Sequence, residues 1–102
     1  MTLQFYVQSI AKRAKGVALI DSGATENFMN LNYTRWLKLP IRELKQHCPL
    51  LNVDGRENES RALCYYTDLQ FRMGTQTTNQ RFYLLDLGDH KAIFGYPWFA
   101  AF

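Results

Sequence analysis

Apolar and polar residues alternate along several short segments of this chain, which is typical of β-strands with one buried face. Residues 2–9, 61–73 and 80–85 each carry their core-forming side chains at every second position. The positions that share a face are Leu3, Phe5 and Val7 in the first segment, Leu63, Tyr65, Thr67, Leu69, Phe71 and Met73 in the second, and Phe82 and Leu84 in the third. We therefore predict three half-buried strands.

Two short apolar runs without alternation predict further strands. Residues 17–20 are continuously apolar and indicate a fully buried strand, which a polar turn at 11–16 precedes. Residues 92–94 indicate a last and very short strand.

A hairpin is predicted in the middle of the chain. Residues 50–53 are followed by Asp54 and Gly55, a pair that favours a tight turn, and the long segment 61–73 comes next. The predicted tip, residues 54–60, is entirely polar and should face solvent.

Helical signals are confined to two short segments. Asn30 is a suitable N-cap for a helix over 31–39, which Pro40 would end, and residues 95–98 favour a second helical turn. Six or seven strands with close turns and one or two short helices indicate an all-β barrel or sandwich.

Composition favours one small folded domain spanning residues 1–102. Of these 102 residues, 47% are hydrophobic and 15% are aromatic, which suffices for one hydrophobic core. The chain is too short for two domains. No run of 18 apolar residues occurs, and the first residues lack the basic and apolar pattern of a secretory signal. We accordingly expect no association with a membrane.

The charge pattern and the cysteines argue against nucleic acid or a metal as a partner. The net charge is +3, and the densest basic stretch, 12–16, indicates the polar tip of a hairpin rather than a nucleic-acid-binding stripe. Cys48 and Cys64 form no Cys-x-x-Cys pair, and His47 and His90 do not complete a zinc spacing. We expect two free thiols, no metal and no cofactor.

The stretch 18–25 carries the most informative chemistry. A carboxylate, Asp21, follows directly after a predicted buried strand, and a hydroxyl and a glycine come next. Burial of an unpaired carboxylate is costly, so this position indicates a carboxylate that is used or that nearby N–H groups satisfy. Asp, Ser and Gly are also turn formers, and the triplet alone is more often an ordinary strand-ending turn.

Three elements together resemble the retroviral-type aspartic proteases, the retropepsins. Residues 21–24 (Asp-Ser-Gly-Ala) are similar to their active-site signature, and residues 93–95 (Ile-Phe-Gly) are similar to the apolar-apolar-Gly triplet near their C-terminus. A hairpin at 52–60 stands where the family has its flap. The runs 21–28 and 93–98 are most similar to the protease domain of gypsy-type long-terminal-repeat retrotransposon polyproteins. The resemblance implies an all-β, retropepsin-like acid protease barrel with one flap hairpin per chain.

The resemblance further implies a homodimer. Aspartic proteolysis needs two carboxylates, but only one Asp-[Ser/Thr]-Gly motif occurs, so each of two copies would supply its Asp21 at a two-fold axis. The two carboxylates would share one proton, with one activating a water and the other polarising the scissile carbonyl. The implied reaction uses no metal or cofactor, and we expect its optimum at about pH 4.5–6.5.

The resemblance also assigns roles to individual residues. The expected catalytic residues are Asp21, Ser22 and Gly23. Substrate contacts are expected from Ala24, Thr25 and Glu26 beside them, and from Val53, Asp54 and Gly55 in the flap. The flap would close over an extended peptide and pair with it as added β-structure.

The expected substrates are extended segments of the chain's own Gag-Pol-type polyprotein, cleaved in the cytoplasm, within retrotransposon particles where the element is active. A second class of function stays open, namely a domesticated and catalytically inactive module for dimerisation or interaction. The intact residues 21–23 favour the enzyme. The spacing also leaves open a Cys48 or Cys64 nucleophile paired with His90, for which no local signature occurs.

Overall fold

The fold is described by a computed structural model over residues 1–9, 12–51, 57–73 and 75–101. In chain order its elements are β1 (Thr2–Gln8), β2 (Arg13–Ile20), β3 (Asn27–Asn30), α1 (Leu31–Trp36), β4 (Arg42–Leu51), β5 (Glu57–Met73), β6 (Gln76–Leu85), β7 (Ala92–Phe94) and α2 (Tyr96–Ala101). The predicted all-β class with short helices is confirmed.

All of these strands belong to one sheet, with the order β1-β2-β7-β3-β6-β5-β4. The pairs β2–β7 and β3–β6 are parallel, and the other four neighbouring pairs are antiparallel. Over the described residues β1 and β4 end this order, so the sheet is open rather than hydrogen-bonded into a closed barrel. The short strand β7 lies between β2 and β3, which puts the end of β2 and the start of β3 on its two sides.

A cluster of aromatic rings around Phe94 forms the centre of the core. Phe94 is 1% exposed. The rings of Phe5, Phe71, Phe82 and Trp98 have centroids 5.6, 5.5, 5.6 and 5.3 Å from that of Phe94, in tilted or edge-on arrangements. Tilted and edge-on arrangements are favourable for aromatic pairs, so these ring contacts stabilise the part of the core around Phe94 of β7.

The alternation along the predicted half-buried strands is confirmed. Phe5 and Val7 of β1 and Phe82 and Leu84 of β6 are buried. In β5, Thr67 is buried, whereas its neighbours at 68 and 70 are exposed. Over residues 3–7, 65–71 and 80–84 every second side chain therefore turns towards the core, as the period of a strand requires. The side chains of Leu63 and Met73, predicted on the same face, lie outside the described part of the structure.

The predictions for β2 are partly wrong. Residues 17–20 are not a fully buried strand, because β2 turns one face outward between β1 and β7 and leaves Val17 46% exposed. The turn predicted at 11–16 is also too long, since Arg13 already pairs with Gln8 in the β1–β2 ladder.

Helix α1 begins where predicted but ends earlier. The Asn30 side-chain oxygen accepts two backbone N–H bonds of the first turn, at 3.0 and 3.3 Å, which confirms the N-cap. The predicted range 31–39 is too long, because Lys38 has φ 57° and this left-handed conformation ends the helix before Pro40. The described residues contain no helix long and apolar enough to cross a bilayer.

Besides β2, three strands begin earlier than predicted, and one was not predicted. The longer strands are β4, which begins at 42 rather than 50, β5, which begins at 57 rather than 61, and β6, which begins at 76 rather than 80. Strand β4 includes Pro49, which an edge strand tolerates because its outer side donates no ladder bond. Strand β3 is too short for an alternating pattern. Of the predicted flap hairpin at 52–60, residues 57–60 belong to β5 and residues 52–56 lie outside the described residues.

The aromatic core yields a matched test of stability. Phe82 is fully buried and Phe99 is 36% exposed, so truncation to alanine removes much more buried contact at position 82 than at position 99. We expect Phe82→Ala to lower the free energy of unfolding by about 3–5 kcal/mol. Phe99→Ala should lower it by about 1 kcal/mol or less. Urea unfolding of the three proteins measures both values, and equal losses would contradict the central place of Phe82 in the core.

Candidate active site

Asp21 is the first residue beyond β2, and the neighbouring strand fixes its backbone. Ile20 pairs with Phe94 in the parallel β2–β7 ladder, and the Asp21 N–H donates to the Phe94 carbonyl at 3.0 Å. The backbone of Asp21 is thus an extension of the sheet, while its side chain is exposed. A carboxylate held by a strand end and open to solvent is able to meet a ligand.

The residues after Asp21 form a tight turn around its carboxylate. The Gly23 N–H donates to Asp21 Oδ1 at 3.0 Å, and the Ala24 N–H donates to the Asp21 carbonyl at 3.1 Å. The side chain therefore has one backbone donor, which orients the carboxylate and stabilises its charge. We call residues 21–26 the Asp21 loop.

Because Gly95 has no side chain, the backbone after β7 packs in close contact with the Asp21 loop. A Cβ at Gly95 would lie 2.2 Å from the Glu26 carbonyl oxygen and 2.8 Å from that of Ala24. The next residue, Tyr96, donates its N–H to the Ala24 carbonyl at 2.9 Å. Only glycine fits this contact, so the triplet at 93–95 has a physical reason to end in glycine.

A buried pair of amide side chains lies next to this contact, and sequence reasoning missed both members. Asn27 is 0% exposed, accepts the Gly95 N–H on Oδ1 at 2.8 Å and donates from Nδ2 to Gln80 Oε1 at 2.7 Å. Gln80 donates from Nε2 to the Pro97 carbonyl at 3.3 Å. Gln80 has the same parity as the buried Phe82 and Leu84, and a polar residue at such a core position is the signal in the sequence that could have indicated it. Strand β3 is too short to give a comparable signal for Asn27.

The structure brings some of the predicted site residues together. Asp21, Ser22, Gly23, Thr25 and Glu26 are exposed along one loop, with Ala24 half-buried among them. The burial expected around the carboxylate is absent in the single chain, because the loop leaves the sheet at Asp21. The predicted flap residues Val53, Asp54 and Gly55 lie outside the described residues.

The arrangement offers one exposed carboxylate on a rigid support. Such a group accepts and donates a proton, but one copy of the chain supplies only a single carboxylate from this motif. The described residues contain no group of three or more His, Cys, Asp or Glu side chains placed to hold a metal ion.

The Gly95 contact can be tested without any assay of activity. We expect Gly95→Ala to destabilise the fold by about 1–3 kcal/mol, because the new methyl group meets two backbone oxygens that cannot move aside. Gly23→Ala is the matched control, since its Cβ meets only Asp21 Oδ1 at 3.3 Å, and we expect a loss of about 0.5 kcal/mol. Thermal unfolding of both variants measures the difference, and a larger loss for Gly23→Ala would refute the close contact.

Comparison with known proteins agrees with these observations. The model of one protein family, described as the PEG10/RTL1 protease domain, matches residues 17–102, which include the second half of β2, the Asp21 loop, β7 and α2. Searches of curated proteins and of solved structures gave no match to the chain. With most of its length matched, the chain belongs to the PEG10/RTL1 protease domain family, which is retropepsin-like and derived from gypsy-type retrotransposons.

Proposed function

We propose that the chain is one half of a homodimeric aspartic endopeptidase in which Asp21 is the catalytic carboxylate. The observation that carries the proposal is the double anchoring of the Asp21 loop. Its first residue donates to the Phe94 carbonyl and its Ala24 carbonyl accepts from Tyr96, on either side of a glycine contact. A loop that only ended a strand would not need to be fixed on both sides.

The chemistry requires a second copy of the chain. Hydrolysis of a peptide by two carboxylates requires them to share one proton, and each chain brings a single Asp21 in this motif. Two Asp21 loops facing each other across a two-fold axis would complete the site, with the same exposed surface used on both copies. The exposure of residues 21–23 in the single chain is consistent with such an interface.

The reaction then follows from one ionised and one protonated carboxylate. The ionised Asp21 takes a proton from a water, whose oxygen attacks the carbon of the scissile carbonyl, while the protonated Asp21 gives its proton to the carbonyl oxygen. The tetrahedral diol collapses when the Asp21 that took the water proton passes it to the amide nitrogen, the bond between carbon and nitrogen breaks, and a diol hydroxyl gives its proton to the other, now ionised Asp21. The products are a carboxylic acid and an amine, and the dyad returns to one shared proton.

The remaining predicted residues have supporting roles in this proposal. Ser22 bonds the partner's loop beneath the dyad, and the Gly23 carbonyl accepts a substrate N–H. Ala24, Thr25 and Glu26 border the substrate, and the hairpin that carries Val53, Asp54 and Gly55 closes over it. The substrates are extended segments of the parent polyprotein, processed in the cytoplasm.

Removal of the charge at position 21 tests the catalytic assignment. We expect Asp21→Asn to abolish cleavage of a diverse peptide pool near pH 5, because an amide cannot take the proton from water. Asp89→Asn is the matched control, since Asp89 is an exposed aspartate in the turn before β7, and it should retain full activity. Mass spectrometry of the pool with tens of micromolar protein gives the cleavage sites.

Each outcome of this comparison has a distinct meaning. Equal cleavage by the native chain and by Asp21→Asn would disprove the assignment. No cleavage by the native chain, together with a dimer in sedimentation, would favour the inactive interaction module.

Sharing of the site between two chains predicts a dependence on concentration. Below the dissociation constant, the activity per chain should fall about tenfold for each tenfold dilution. At concentrations where nearly all chains are dimeric, mixing equal amounts of native chain and Asp21→Asn should lower the activity per native chain to about half. Random pairing places half of the native chains in inactive mixed dimers. Activity per native chain that stays constant on dilution and on mixing would exclude a shared site.

A further inference from the structure

We infer that Asn27 and Gln80 are positioning residues for Asp21, acting through the backbone of Gly95; this inference rests on the proposed function. Neither side chain touches the carboxylate in the contacts described above. Together they hold Gly95 and Pro97. The two anchors of the Asp21 loop, Phe94 and Tyr96, are the residues on either side of Gly95.

The hydrogen bonds of this amide pair run in one direction. They begin at the Gly95 N–H, which donates to Asn27 Oδ1, continue from Asn27 Nδ2 to Gln80 Oε1, and end where Gln80 Nε2 donates to the Pro97 carbonyl. Reversal of either amide would set two donors against each other at one of its two bonds and two acceptors against each other at the other. Gln80 Nε2 has a second acceptor, the Thr78 hydroxyl, at 3.1 Å.

Because the amide pair is buried, water cannot easily take over its hydrogen bonds. Asn27 is 0% exposed and Gln80 is 5% exposed, and they come from the adjacent parallel strands β3 and β6. A buried donor or acceptor that loses its partner bears the full penalty of desolvation. The adjacent charged side chains, Arg81 of β6 and Asp68 of β5, pair with each other at 2.9 Å on the exposed face.

The route from the amide pair to Asp21 is short. Gly95 lies between Phe94, whose carbonyl accepts the Asp21 N–H, and Tyr96, whose N–H donates to Ala24. A shift of Gly95 therefore moves both anchors of the Asp21 loop at once. Two carboxylates that share a proton tolerate little displacement, because a misplacement of about 1 Å is enough to slow a reaction about a hundredfold.

The direction of the bonds gives a test that depends on pH. In Gln80→Glu, an ionised carboxylate still accepts from Asn27 but has no hydrogen for the Pro97 carbonyl, whereas the protonated acid has one. Burial favours the protonated acid. We expect this variant to reach nearly the native kcat at about pH 4.5 and to fall at least about tenfold below it by about pH 6.5.

Two further variants complete the comparison. Gln80→Met has similar length but makes none of the hydrogen bonds, so its kcat should be reduced about tenfold or more at every pH, with KM little changed. Gln70→Glu places the same charge change on an exposed residue of β5 and should keep the native profile. All activities are measured well below the unfolding temperature and are expressed per folded chain, so that lower stability alone leaves kcat unchanged. A native kcat in Gln80→Met, or a pH profile of Gln80→Glu that matches the native one, would overturn the inference.

A second readout does not depend on catalysis. Amide hydrogen exchange in the full chain reports whether the Asp21 and Gly95 N–H groups lose protection when the amide pair is broken. In Gln80→Met we expect exchange at both to rise at least about tenfold, while the Val7 N–H, which faces Ala14 in the β1–β2 ladder, keeps its native rate. Unchanged exchange at Asp21 would overturn the positioning role, whereas failure of the native chain to cleave any peptide would overturn only the proposed function.

Discussion

The contact between two stretches of backbone at Gly95 is the constraint on which the rest of the site depends. Residues 24–26 pass so close to Gly95 that no side chain fits between them, and hydrogen bonds at Phe94 and Tyr96 fix the contact on both sides. Phe94 contributes twice, since its ring lies at the centre of the aromatic core and its carbonyl holds Asp21. Phe94 therefore links the packing of the core to the geometry of the loop.

Patterns that act over a few residues predicted most of the fold. Alternation identified the buried faces of β1, β5 and β6, and Asn30 was identified as a helix cap, because these features depend on neighbours in the sequence. The errors occurred where distant residues decide the structure. Strand β3 has four residues and pairs with β6 and β7, and no local pattern of that length indicates such pairing. Strand β4 runs through a proline because it lies at the edge of the sheet, a fact that only the strand order reveals.

The candidate site was predicted in the same uneven way. The residues at 21–24 and 93–95 were identified from short motifs, and the structure brings them together through the β2–β7 ladder. Asn27 lies within the run 21–28 that resembles the family, but no motif assigns it a role, and Gln80 is predicted only to begin a strand. Their pairing joins positions 53 residues apart in the sequence, and a buried amide shows its purpose only when its partner is known.

The strand order also governs when the site can form as the chain folds. Strand β7 comes from the end of the described chain but inserts between β2 and β3, which lie near its beginning. Contacts between residues so far apart in sequence are closed late, because the entropy of a long loop has to be overcome first. During synthesis, residues 21–26 leave the ribosome long before residues 92–96, and until then the hydrogen bonds from the loop to Phe94 and Tyr96 cannot form. The position of β7 thus delays formation of the candidate site, and a nascent or truncated chain that lacks β7 carries the sequence of residues 21–26 without the structure described for them.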